Sequence, residues 1–93
     1  MDGEFSNFEA WYATHYGSVL AALVLYCTSD HASAEDATND GFVAAFENWQ
    51  SVSQMESPVG WVVRTAINSA KRRFRRRKRG IELMNSMTPS LPR

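Results

Sequence analysis

Apolar residues recur along most of the chain at steps of three and four. Phe5, Phe8, Tyr12, Tyr16, Val19, Leu20, Leu23, Val24 and Cys27 hold that spacing, which places them on one face of a helix. Gly17 interrupts the pattern without ending it. The polar stretch Thr28-Ser29-Asp30-His31 breaks it. Ser33 then precedes Asp36 by three residues, a spacing that resembles a capping box with Asp in the usual Glu or Gln position. A second helix follows, with Ala34, Ala37, Phe42, Ala45, Phe46 and Trp49 along one side. Gln50 to Glu56 has no period and reads as a loop. Ser57-Pro58 reads as an N-cap followed by proline at the first helical position. A third stripe consists of Trp61, Val62, Ala66, Ile67, Ala70 and Phe74, with Arg64, Asn68, Lys71, Arg72, Arg75 and Arg79 on the other side. Gly80 is the expected C-terminal stop. No strand pattern competes, so the expected fold is all-α: a small bundle of three to four helices over residues 1–80, with 81–93 as a linker or disordered tail.

Charge changes this picture, because it is sorted by position. Every acidic residue except Glu82 lies before Gly60, and every Lys and Arg lies after it. The formal net charge of zero hides two opposed halves. In the run from Lys71 to Arg79 the one uncharged residue is Phe74. A run of that density points to a polyanion, and phosphate backbones are the commonest in a cell. The acidic half has two possible uses: it answers the basic half within the fold, or it meets a different, basic partner.

The remaining composition excludes more than it selects. The 93 residues suit one small domain with a modest core. No stretch approaches the ~20 apolar residues that span a bilayer, and the acidic start lacks the positive end of a secretory signal. No membrane association is expected. The single cysteine, Cys27, cannot form an internal disulfide, which suits a reduced, cytoplasmic setting. His15 and His31 have no metal-ligand spacing with Cys27, so no metal and no cofactor are expected. Ser57 lacks a His–acid pair and there is no glycine-rich phosphate loop, so no enzymatic activity is expected. Trp49 and Trp61 fall on apolar stripes and are expected in the core, with Trp11 off the main stripe.

Two blocks carry a resemblance. Ala34-Glu35-Asp36-Ala37-Thr38-Asn39-Asp40-Gly41-Phe42-Val43-Ala44-Ala45-Phe46 resembles a signature of bacterial sigma factors. Pro58-Val59-Gly60-Trp61-Val62-Val63-Arg64-Thr65-Ala66-Ile67-Asn68 is similar to a second signature of the same family, at the expected distance and followed by the basic stretch. The chain thus resembles region 2 of the sigma-70 family, in its small extracytoplasmic-function branch. It departs from the usual pattern at Gly41, where a branched apolar residue is common, at Val62, where Leu is common, and at Lys71, where Asp is common.

The resemblance implies two jobs. The second helix would dock on the clamp helices of the RNA polymerase beta-prime subunit, through Glu35, Asp36, Asn39 and Asp40. The third helix would hold the non-template strand of the minus-ten promoter element, through Arg64, Asn68, Lys71, Arg72, Arg75, Arg76 and Arg79. The loop Ser51, Val52, Ser53, Gln54, Met55, Glu56 and Ser57 would border a pocket for a flipped base. An anti-sigma factor is a further expected partner. Region 4, which reads the minus-thirty-five element, has too few residues after Arg79 to form, so the chain is expected to be an excised domain. Independently of the family, arginines suit phosphates, while Asn68 can both donate and accept and so suits a base edge. Carboxylates repel phosphates, which turns the acidic helix towards a protein. Two alternatives stand beside this reading: an interaction module bound by an anti-sigma factor, and a nonspecific nucleic-acid-binding protein.

Overall fold

The structure, a computed structural model, describes residues 2–28 and 30–87. It contains four helices in chain order: α1 (Asp2–Cys27), α2 (His31–Glu47), α3 (Trp49–Val52) and α4 (Pro58–Met87). No strand occurs among the described residues, and the expected all-α bundle is what forms. The helices α1, α2 and α4 pack on one another, with α2 between α3 and α4 in the contact order.

Local chemistry sets each boundary. The α1–α2 turn is tight, with Asp30 N–H donating to the Cys27 carbonyl at 3.2 Å. Thr28 adopts φ 35° there, the left-handed conformation that glycine usually supplies after a helix. The cap of α2 is Asp30 rather than Ser33: its carboxylate accepts from Ser33 N–H at 3.1 Å and from the Ser33 hydroxyl. The chain therefore enters α2 three residues earlier than the Ser33–Asp36 spacing predicts. Ser57 caps α4 as expected, accepting from Gly60 N–H at 3.1 Å.

Two expected irregular segments are helical. Trp49–Val52 forms α3, so the loop shortens to residues 53–57. Val52 drives this, because it is fully buried and a helical turn is the short path that carries it inward. Helix α4 continues through Gly80 to Met87. An interior glycine costs only about 1 kcal/mol against alanine, and Gly80 does not take the positive φ of a terminating residue. The expected linker is thus helical over Ile81–Met87; residues 88–93 lie outside the described residues.

The core is small-sided between α2 and α4. Ala34, Ala37 and Ala45 of α2 meet Val62, Ala66 and Ala70 of α4, closed by Val19 and Leu23 of α1 and by Val52. Burying a side chain such as Leu23 stabilises by roughly 1.5–3 kcal/mol. At the other end an aromatic cluster replaces aliphatic packing. Trp11 lies 4.9 Å from Trp49 and 5.5 Å from Phe42 between ring centroids. Phe8 meets Trp49 edge-on at 5.2 Å. Trp11 is thus part of the core margin. Trp49 and Trp61 are partly buried against the core rather than enclosed by it.

Phe74 and Phe46 depart from expectation, at 66% and 48% exposed. In α4 the face turned to α2 is Val62, Ala66, Ser69, Arg73 and Arg77, stepping by four, three, four and four. Phe74 follows Ala70 on the flank of that face and passes beyond the apolar contact.

Candidate nucleic-acid interface

Two kinds of charged position alternate around α4, and their separation builds the site. The first is the inward charged row. Arg73 donates to Asp40 from Nε at 3.2 Å and Nη2 at 2.7 Å, and the Ser69 hydroxyl donates to the same oxygen. Arg73 also lies 3.8 Å from Asp36. One helical turn on, Arg77 donates to Asp30 at 3.2 Å and to the Ser33 hydroxyl at 3.1 Å. These contacts clasp the first two-thirds of α2 to the middle of α4. The side chains are partly exposed, so solvent screens each pair and its contribution to stability is small. Their geometry nevertheless selects which arginines stay bound to the protein.

The carboxylates respond to the clasp. Burial pushes Asp40 up, but hydrogen bonds from Ser69 and Arg73, with the Arg73 charge, outweigh it and hold the group below its ordinary value. Asp30 is lowered chiefly by the Ser33 hydroxyl and amide, then by Arg77. The same pairing raises Arg73.

The second kind is the outward row. Arg64, Asn68, Lys71, Arg72, Arg75, Arg76 and Arg79 are all exposed. Arg64, Asn68, Lys71, Arg75 and Arg79 step by four, three, four and four, which aligns them along one side of the helix. Among the described residues, none of these cations takes part in a salt bridge. The outward row thus carries surplus positive charge, while the two inward arginines are neutralised within the fold. The run Lys71–Arg79 looks uniform in one dimension. Arg73 and Arg77 could have been separated from it by continuing the Val62–Ala66–Ser69 spacing, because that spacing alone turns them towards α2.

The proposed base-pocket loop divides too. Ser51 and Val52 belong to α3, and buried Val52 has no surface with which to meet a base. The Ser57 hydroxyl is occupied as a cap, and the Ser53 hydroxyl donates to the Gln50 carbonyl at 3.4 Å. Gln54, Met55 and Glu56 remain as exposed side chains beside the start of α4.

On α2, Glu35, Asp36 and Asn39 are exposed, whereas Asp40 is turned into the clasp. Glu35 lies 3.5 Å from His31. The side that begins at Asn39 continues into Val43 and Phe46, which with Phe8, Tyr12 and Phe42 line an apolar groove of about 340 Å³. Among the described residues, no group of three or more His, Cys, Asp or Glu side chains is placed to hold a metal ion, and no helix is long and apolar enough to cross a membrane.

Residues 6–80 match the family model described as Sigma-70 region 2. Neither a curated protein nor a solved structure matches the chain significantly.

Proposed function

We infer the function from one premise: the chain belongs to the Sigma-70 region 2 family. That family's general role is to bind RNA polymerase and to recognise the minus-ten promoter element in transcription initiation. We propose that this chain divides the role between α2 and α4, as a domain of the extracytoplasmic-function type acting in the cytoplasm. The outward row of α4 would track the phosphates of the non-template strand, with Asn68 offering donor and acceptor groups to a base edge. Gln54, Met55 and Glu56 would border an extruded base. Glu35, Asp36 and Asn39 would meet the basic surface of the beta-prime clamp helices. Residues 1–80 would form this unit.

The observation that supports the division is the sorting of charge in space. Arg73 and Arg77 neutralise carboxylates of α2, and the cations left over are exposed and make no salt bridge among the described residues. A strand and a basic protein can therefore occupy the domain together without competing for one face. The apolar groove at Tyr12, Val43 and Phe46, beside the acidic side of α2, favours a protein partner there, and an anti-sigma factor would compete with polymerase for it.

Binding to single strands, measured by fluorescence anisotropy, tests the assignment. Asn68→Ala should narrow the preference for a minus-ten strand over a scrambled one, more than it weakens binding overall. Equal loss on both strands would remove Asn68 from base reading. Glu35→Arg with Asn39→Arg, neither of which touches Arg73, should abolish binding to an isolated clamp-helix fragment and leave strand binding intact or stronger. Undiminished clamp binding would remove α2 from docking. Asp40 is unsuited to that test, since reversing its charge breaks the clasp with Arg73.

A further inference from the structure

The reading above leaves one groove unused. It lies where the end of α1 and the start of α2 face the middle of α4, with a volume of about 420 Å³. Tyr26 belongs to the α1 wall, and Lys71, Phe74 and Arg75 belong to the α4 wall. The two aromatic side chains are open, Phe74 at 66% and Tyr26 at 46% exposure. No aromatic contact joins them among the described residues.

Charge and apolar surface together narrow what can enter. Arg73 and Arg77 also line the groove, but Asp40 and Asp30 hold them. Asp30 is the carboxylate on the wall, and Arg77 and Ser33 satisfy it. Lys71 and Arg75 make no salt bridge among the described residues, so the surplus charge is positive. A bare phenylalanine between cations is a poor seat for an apolar protein segment, whose docking would desolvate those charges. A ligand that is aromatic at one end and anionic at the other satisfies both walls.

We propose that this groove is a nucleotide subsite. A base stacks on Phe74 beside Tyr26, and its phosphate meets Lys71 and Arg75. Base–aromatic stacking beside a cationic track is how proteins hold single strands without reading sequence. Lys71 and Arg75 belong to the outward row of α4 as well, so a strand on that row reaches the groove over the edge of the helix. The subsite is distinct from the loop at the start of α4 and does not use Asn68. The ligand is either one unit of a strand or a free nucleotide, and both present the same chemistry.

The test compares wild type with Phe74→Ala, Phe74→Tyr and Tyr26→Ala. The probes are a labelled oligothymidylate of roughly 12 nucleotides, an abasic deoxyribose-phosphate strand of the same length, and thymidine monophosphate as competitor. Phe74 is exposed, so its truncation leaves the fold intact, and circular dichroism checks this. Phe74→Ala should weaken oligothymidylate binding about tenfold, Phe74→Tyr should restore it, and the abasic strand should bind wild type and Phe74→Ala equally. Competition by the mononucleotide that disappears in Phe74→Ala supports a free nucleotide as ligand. A Phe74 effect without such competition supports a unit within a strand. Unchanged oligothymidylate binding by Phe74→Ala, or equal loss on the abasic strand, overturns the subsite. Arg64→Ala keeps the two proposals apart. If it leaves strand binding intact while Phe74→Ala weakens it, the strand does not extend along the outward row to Arg64 and the subsite stands; the reverse pattern sinks the subsite alone.

Discussion

Replacing Gly41 with alanine should destabilise the domain, although alanine is the better helix former. Gly41 is buried in α2 against α4. A Cβ there would lie 2.9 Å from the Val62 carbonyl oxygen, 3.1 Å from Ala66 Cβ and 3.2 Å from Val62 Cγ1. The nearest atom is backbone within a helix, so no rotamer change relieves it and α4 itself must move. Helix propensity favours alanine by about 1 kcal/mol, and overpacking costs about 1–3 kcal/mol. A backbone obstacle places this site in the upper part of that range, giving a net loss of about 1–2 kcal/mol. Displacing α4 also strains the Asp40 contacts with Ser69 and Arg73, which lie one to two turns further along it. In a domain of this size each kcal/mol lowers Tm by about 4–8 °C. Gly17→Ala is the matched control, because nothing lies within 4 Å of a Cβ at that position and the propensity gain of about 1 kcal/mol stands alone. Urea denaturation followed by tryptophan fluorescence, with thermal melts by circular dichroism, measures both variants. A Gly41→Ala protein as stable as wild type, or as much improved as Gly17→Ala, would refute close packing of α2 on α4.

Three other predictions test other links. Asp30 and Asp40 both sit below their ordinary 3.8 in the folded protein, so the stability they contribute is complete well above that value and is lost as pH falls through the lowered folded values; Asp40→Asn should flatten the decline of Tm with acid, and an unaltered pH profile would dissociate Asp40 from it. Arg64→Ala should reduce the slope of log affinity for a single strand against log salt by about 0.7, whereas Arg73→Ala should lower Tm and leave the slope unchanged; equal slopes for wild type and Arg64→Ala would count against a phosphate contact. Thr28→Gly should raise stability by about 1 kcal/mol, since a β-branched residue is strained at φ 35°, and a destabilised variant would show that the Thr28 side chain contributes more than its conformation costs.

How much the chain discloses before it folds depends on the distance over which each interaction acts. Helix identity is local: the steps of three and four from Phe8 to Cys27, the Ser57-Pro58 start and the absence of alternation determine an all-α bundle by themselves. The two sequence blocks carry the family resemblance that the match over residues 6–80 bears out, and the segregation of charge points to a polyanion for the basic half. Boundaries were less legible because they depend on competition between neighbours. Asp30 displaces Ser33 as the cap because its carboxylate meets both the Ser33 amide and hydroxyl, and buried Val52 draws a helical turn from a stretch without period.

Tertiary structure decided the division of the cations. Lys71 to Arg79 is one run of charge in the sequence, yet the placement of α2 beside α4 binds Arg73 and Arg77 to Asp40 and Asp30 and leaves the others outward. It also moved Asp40 from an expected partner contact into the clasp, and it opened Phe74 to a groove whose other wall, Tyr26, lies far away in sequence. A helix period tells which residues share a face. Which face meets another helix, and at what distance, is fixed by packing small residues such as Ala37, Gly41 and Ala66 together, and that requires contacts between residues the chain holds far apart.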